Sequence, residues 1–433
     1  MLKILKSLLC ISLVIVLCAC ATPIKHESAN NDAQYNRPNY ATVPPRPDVE
    51  QSKPTGITNY SEMKGMYFSQ FDLTTMLRGK TEKEFSQTVM EAFANCASIG
   101  VNTVVVQLRP YSDAFYPSNY FPWSNYVTGT LSKNPGYDPL EIMIEQAEKY
   151  DLSFHAWINP MRSLTDAQIQ KVSDKYPIKQ WYNDQSLYEN YIFLHTDGRW
   201  YLNPAIPEVV QLICDGVAEI VNNYDVDAIH IDDYFYPSGM EASSDRVSYN
   251  DYISDGGNLS LADWRRDNTS YMVKKIYETV KYCNPNVLFG VSPAGNMSNN
   301  YDKYYADVER WVKNPGYLDY LAPQIYFPYD STYSANSSFT KALNQFNQME
   351  KDDSVSMVIA LASYKLGGQD SGLSATEKPL WQQATDISVR QITDARKINN
   401  YGGIIFYRYD SLFNPANKDH VQEEVYNISN LFQ

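Results

Sequence analysis

The strongest constraint on the fold of this chain is a rhythm of short apolar runs and longer amphipathic stretches, which begins at Glu62 and repeats eight times. The runs are Gly65 to Ser69, Thr103 to Leu108, Ser153 to Ile158, Ala228 to Ile231, Leu288 to Ser292, Tyr320 to Ile325, Met357 to Leu361 and Gly403 to Tyr407. Their length and β-branched content fit strands. Between most of them lie segments with separate polar and apolar faces, such as Lys83 to Ile99, Pro139 to Tyr150, Pro207 to Tyr224 and Trp264 to Asn284. Alternating strand and helix predicts a parallel sheet. No glycine-rich phosphate loop accompanies the runs, so the expected fold is a closed (β/α)8 TIM-like barrel rather than an open nucleotide-binding sheet.

In such a barrel the chemistry sits at the C-terminal ends of the strands. Strand alternation then sorts the residues there. In Ala228-Ile229-His230-Ile231-Asp232 it turns His230 and Asp232 into the lumen and leaves the isoleucines against helices. The same reasoning sends His155, Trp157 and Asn159 inward from the third run, Gln107 and Arg109 from the second, and Gln324 and Tyr326 from the sixth. One polar mouth is expected to collect Arg109, His155, Asn159, His230, Asp232, Gln324 and Tyr326. Asp233, next to Asp232, should face the other way and hold the following loop. The connections after the second, third and fourth runs are long and carry Tyr116, Tyr120, Trp123, Trp181, Tyr182, Tyr234, Phe235 and Tyr236. Loops of that length in a compact domain are usually functional, and their rings could form a substrate cleft or pin the loops.

A carboxylate pair in an aromatic cleft suits glycoside hydrolysis, where one group acts as acid and the other as nucleophile or base. Asp232 is the first candidate. Asp113, just past the second run, is the expected partner, with Asp233, Glu241 and Asp330 as weaker options. Two other readings compete: a glycan-binding protein without turnover, and a metal-dependent hydrolase or deacetylase using His155, His230 and Asp232. The spacing of those three matches no metal motif, so neither metal nor cofactor is expected. The formal net charge of −14 gives no footprint for nucleic acid and disfavours a polyanionic partner, which leaves an oligosaccharide or polysaccharide as the expected substrate.

The N-terminus carries a separate signal. Lys3 and Lys6 precede an apolar run from Leu8 to Leu17 that is too short to span a bilayer, and Leu17-Cys18-Ala19-Cys20 closes it. This resembles a lipoprotein signal peptide over 1–19, implying cleavage before Cys20, lipidation of its thiol and anchoring in a bilayer at the outer membrane or cell surface. Residues 20–60 hold six prolines among polar residues and read as a flexible tether, leaving 61–433 for the barrel. Cys96, Cys214 and Cys283 sit in apolar helical contexts and read as buried thiols.

Several segments together carry a family resemblance. Gly136-Tyr137-Asp138-Pro139-Leu140, His155-Ala156-Trp157-Ile158-Asn159-Pro160, Tyr201-Leu202-Asn203-Pro204, Asp227 to Pro237, Trp264-Arg265-Arg266-Asp267-Asn268, Gly290-Val291-Ser292-Pro293, Ala322-Pro323-Gln324-Ile325-Tyr326 and Leu361-Ala362-Ser363-Tyr364-Lys365 resemble, in order, the bacterial glycosyl-hydrolase-like ten family of lipoproteins. The resemblance runs from about Glu62 to Leu412. It implies a TIM-like barrel and, in some members, cleavage of peptidoglycan glycan strands. It places functional residues at Arg109, Asp113, His155, Asn159, Arg162, His230, Asp232, Asp233, Gln324 and Lys365; the loop aromatics and strand parity add Tyr234 and Tyr326 as expected substrate contacts. Ser112 replaces a small residue of the pattern, and no Glu closes the fifth run, which ends in Ser292-Pro293. The acid–base arrangement of amylase-like barrels therefore does not carry over directly.

Overall fold

The computed structural model describes residues 60–329 and 338–433. The predicted leader 1–19, the lipidation site Cys20, all of the tether but Tyr60, and Asp330 lie outside the described residues. Eight parallel strands close into a barrel: β1 (Met63–Phe68), β2 (Thr103–Arg109), β3 (Ser153–Ile158), β7 (Ala228–Ile231), β8 (Leu288–Val291), β9 (Tyr320–Leu321), β10 (Ser356–Leu361) and β11 (Tyr401–Phe406), the last pairing with β1. Between β3 and β7 the chain makes an excursion through β4 (Arg162–Thr165), β5 (Ile192–Leu194) and β6 (Arg199–Leu202), which form a small antiparallel sheet ordered β4-β6-β5. The sequence reading had only a long connection there.

Local chemistry explains where the elements start and stop. The helix Glu82–Ser98 opens on a capping box in which the Thr81 N–H donates to the Glu84 carboxylate at 2.8 Å. Asp138 caps Pro139–Lys149 by accepting the Leu140 N–H at 3.0 Å, and proline occupies the first helical position, where its missing N–H removes no bond. β9 is shorter than its apolar run because Pro323 has no N–H for the ladder, and pairing resumes only as a single bridge at Gln324 to Ala294 and Ala360.

Alternation divides the apolar residues into two layers. Val104, Val106, Ile229, Ile231 and Val291 pack against the helices, whereas Met63, Tyr67, Val105, Trp157, Leu288, Tyr320, Val358 and Ile405 fill the lumen. Cys96, Cys214 and Cys283 are buried thiols that form no disulfide.

One expected inward residue faces out. The β2–β3 register shifts between Gln107 and Arg109, so that Gln107 pairs with Trp157 but Arg109 pairs with Ile158, a member of the outer layer. A bulge of this kind reverses the side-chain parity after it. Arg109 therefore lies under the helix Pro207–Asn223, its guanidinium 3.9 Å from the Phe121 ring, and Gly216 leaves the space it occupies. Beside it the buried Glu219 carboxylate accepts the Asn119 N–H at 2.8 Å. Arg109 holds the connection after β2 and takes no part in the mouth.

Candidate active site

Asp232 follows β7 at the barrel mouth and is 3% exposed. Two N–H groups converge on its Oδ1, Asn159 Nδ2 at 2.5 Å and the Tyr234 backbone at 3.3 Å. The Asn159 amide is itself oriented, because Gln107 Nε2 donates to its Oδ1 at 2.7 Å and the Gln70 backbone N–H donates to Gln107 Oε1 at 2.9 Å. Burial first, and then the neighbouring Asp233, push the Asp232 pKa up to about 7 against the opposing pull of Arg162 and these N–H donors. A carboxyl in that state carries a transferable proton near neutrality.

Asp233 also faces the mouth rather than bending away into the loop. β7 ends at Ile231, so strand parity no longer governs the residues after it. Gln324 Nε2 donates to Asp233 Oδ1 and to the Ser292 carbonyl, both at 3.1 Å. The two neighbouring carboxylates are thus held from opposite sides, Asp232 from β3 and Asp233 from the β9 side. Burial raises the pKa of Asp233 as well.

Arg162, the first residue of β4, ties the small sheet to this pair. Its guanidinium lies 3.7 Å from the Tyr234 ring and 4.5 Å from the Tyr111 ring, and its Nε donates to the Pro110 carbonyl at 3.3 Å. Asp113 is placed differently from a catalytic partner. It is fully buried beneath the loop, accepts the Tyr111 N–H at 3.1 Å and is pushed up to about 6 by that burial, with Ser124, Tyr111, Arg162 and Arg199 opposing the rise. Arg162 and Arg199 act on Asp113 only as nearby positive charges. Glu241 is exposed, its carboxylate accepting from Ser243 Oγ at 3.2 Å.

His155 and His230 lie below the mouth, fully buried, and are not placed to touch a substrate as the sequence suggested. They belong to a hydrogen-bonded wire whose proton positions follow from one end. Ser292 Oγ donates to the Ala322 carbonyl at 2.7 Å, so it must accept from Tyr67 Oη at 3.1 Å. The Tyr67 oxygen then accepts from His230 Nε2 at 2.9 Å, and the bare His230 Nδ1 accepts from Tyr320 Oη at 2.9 Å. Tyr320 in turn accepts from His155 Nδ1 at 2.9 Å. Both tautomers are fixed, and burial together with His155 holds His230 neutral, well below its ordinary pKa. Among the described residues no three His, Cys, Asp or Glu side chains come together as a metal site.

The remaining expected residues divide between the rim and the scaffold. Tyr326 is half-buried and stacks on Tyr407 at 5.6 Å. Lys365 Nζ is committed to the Tyr326 carbonyl at 3.0 Å and to Glu377 Oε1 at 2.9 Å, so it braces Tyr326 rather than entering the mouth. Of the loop aromatics, Tyr116, Trp181, Phe235 and Tyr236 are buried against Tyr224, Tyr191, Trp311 and Phe193 and pin their loops, while Tyr234 is 42% exposed. The sequence reading passed over Tyr67, Tyr320 and Ser292, although inward parity would have found the two tyrosines. Gln70 acts through its backbone N–H and leaves no side-chain signal.

The glycosyl hydrolase-like 10 family model matches residues 62–375, which contain every residue of this mouth except Tyr407. The chain belongs to that family. It is 35% identical to glycosyl hydrolase YngK of Bacillus subtilis over 370 residues, covering 81% of this chain and 68% of that protein. It is also 35% identical to glycosyl hydrolase DigH of Escherichia coli K12 over 298 residues, covering 65% of this chain and 66% of that protein. Among solved structures, the glycoside hydrolase domain of PgaB from Bordetella bronchiseptica superposes with a TM-score of 0.54 at 10% identity, over 84% of this chain and 98% of that one. The catalytic domain of β-amylase from Paenibacillus polymyxa gives 0.54 at 10% identity, over 86% of this chain and all (100%) of that one. At that identity the likeness concerns the barrel alone.

Proposed function

We propose that the protein hydrolyses glycosidic bonds, with Asp232 as the proton donor to the departing sugar oxygen and Asp233 as the charged partner. The observation that carries this reading is the pair itself: two neighbouring carboxyls at the barrel mouth, both raised by burial, each held by an amide donor from a different side. Two like groups so close do not both ionise near neutrality, so one keeps a proton while the other stays negative. Asp232 carries the proton, and Asp233 faces the positive charge that develops at the anomeric carbon. Asp113 is a positioning residue that acts on Arg162 only as a nearby charge. Tyr234, Gln324 and Tyr326 contact the sugar. The exposed rings of Tyr234 and Phe71 offer apolar faces to further sugar units, and the buried Arg162 and Tyr111 with the half-buried Tyr126 pack between them as support.

We infer an envelope or extracellular glycan as substrate, with peptidoglycan glycan strands the first to test. The leader pattern and the Cys20 anchor it implies support the location, and the relatives' description as glycosyl hydrolases supports a glycan as the substrate class. Incubating the full chain with denuded glycan strands and a panel of neutral polysaccharides, and following new reducing ends, tests it. Turnover by the wild type that disappears in Asp232→Asn and Asp233→Asn is the expected result. Binding without products in wild type and variants alike would instead make the protein a glycan-binding lipoprotein on a hydrolase barrel. Palmitate labelling that is lost in Cys20→Ala tests the anchor.

A further inference from the structure

The acid assigned above depends on which of its two oxygens carries the proton, and a chain of amides reaching back to Gln70, at the start of the helix Gln70–Leu77 after β1, governs that choice. The orientation of a glutamine or asparagine amide follows from its hydrogen-bond partners, and here every partner is determined by the one before it. The Gln70 backbone nitrogen can only donate, so Gln107 must present Oε1 to it at 2.9 Å. Gln107 Nε2 then faces Asn159 and donates to its Oδ1 at 2.7 Å. Asn159 is left with Nδ2 toward Asp232 Oδ1 at 2.5 Å, where the Tyr234 N–H also arrives. An oxygen that accepts two N–H groups has no room for a proton of its own, so in the neutral acid the proton sits on Oδ2.

We propose that Gln107 is a positioning residue for the hydrolytic reaction: through Asn159 it confines the transferable proton of Asp232 to Oδ2, and it takes this polarity from the Gln70 backbone. Gln107 is 1% exposed, paired with Trp157 in the β2–β3 ladder, and does not touch the substrate. It acts only by orienting the next amide. The other groups facing Asp232 are Asp233 beside it, Arg162 from β4, Tyr234, Tyr67 from β1 and Tyr407 after β11. None of them enters the chain of amides.

The inference rests on Asp232 as the acid, and its test separates the two claims. In Gln107→Glu both side-chain oxygens are acceptors. Gln70 still donates to one, and Asn159 must rotate its amide to donate to the other. Asn159 Oδ1 then faces Asp232, which meets it only by moving its proton to Oδ1, away from the sugar. The expected result is a fall in kcat of about 100-fold or more with KM little changed, the size associated with losing general acid catalysis. The acid constant of Asp232 should weaken at least tenfold, read by carbon-13 titration of aspartate-labelled protein with its signal assigned through Asp232→Asn. Gln107→Met keeps the volume and carries no polarity, so it should lose far less kcat and leave the titration near that of the wild type. On an Asn159→Ala background, where the chain is cut, Gln107→Glu should change kcat by less than about threefold.

Equal losses in Gln107→Glu and Gln107→Met, or an undiminished effect on the Asn159→Ala background, would overturn the proposal and leave Gln107 as packing or as a through-space charge. If the wild type hydrolyses nothing, the glycosidase reading fails. The carbon-13 titration still decides the chain of amides, because it needs no turnover.

Discussion

Replacing Asp232 by asparagine should make the fold more tolerant of alkaline pH, and the size of the effect follows from the burial of one carboxyl. Asp232 is 3% exposed, and burial with the neighbouring Asp233 pushes its pKa up to about 7 from the ordinary 3.8. Between those values the unfolded chain has released the proton and the folded chain still holds it. A state that binds more protons loses stability as they are withdrawn, so this group's contribution falls as pH rises from near 4 through about 7. At about 1.4 kcal/mol per unit, the part lost between about pH 5 and about pH 8 is about 2–3 kcal/mol. Asparagine retains an oxygen to accept from Asn159 and Tyr234 and has no such ionisation. Asp113 and Glu424, pushed up by burial to about 6 and about 7, titrate in both proteins and cancel in the difference. Equilibrium urea unfolding of wild type and Asp232→Asn at the two pH values measures it. The advantage of the variant should grow by that amount toward pH 8, and an advantage that stays constant would refute the raised pKa.

Three further perturbations probe separate parts of the account. Gly216→Ala should destabilise by about 1–3 kcal/mol in urea unfolding even though alanine favours a helix, because its Cβ would lie 2.5 Å from Phe121 and overlap the Arg109 guanidinium; a stabilised variant would show that Arg109 is not under that helix. Tyr67→Phe leaves the buried His230 Nε2–H without its acceptor and should lose about 1–3 kcal/mol in the same assay, with a loss below about 0.5 kcal/mol contradicting the wire. Tyr234→Ala removes a half-exposed ring stacked on Arg162, so it should change stability by under about 1 kcal/mol while raising KM for an oligosaccharide severalfold. An unchanged KM would remove Tyr234 from the substrate path.

Much of the barrel was legible because burial writes a period into the sequence. The runs 153–158 and 228–231 match β3 and β7 to the residue, and parity correctly turned Asn159, His230 and Asp232 inward. Some expectations failed because parity holds only while the ladder is regular. A bulge before Arg109 reversed it, the end of β7 freed Asp233 from it, and Pro323 interrupted it in β9. Inward direction also did not separate depth. His155 and His230 point into the lumen as expected, but one layer too low to meet a substrate, and nothing in the sequence distinguishes a lumen layer from the mouth. The antiparallel sheet that delivers Arg162 was hidden because its strands of three or four residues are too short to show a period. The aromatic loops left cleft and loop pins both open because hydrophobic rings look alike in sequence whether they pin a loop or line a surface.

The central claim is that Asp232 gives up a proton at the barrel mouth. The pH dependence of kcat/KM for glycan hydrolysis tests it most directly, measured in the wild type beside Asp232→Asn. Activity should fall on a single ionisation as pH rises through about 7, where Asp232 loses its proton, and Asp232→Asn should be inactive across the range while unfolding as cooperatively as the wild type. Turnover retained in Asp232→Asn, or a wild-type profile that stays level through neutrality, would contradict the account.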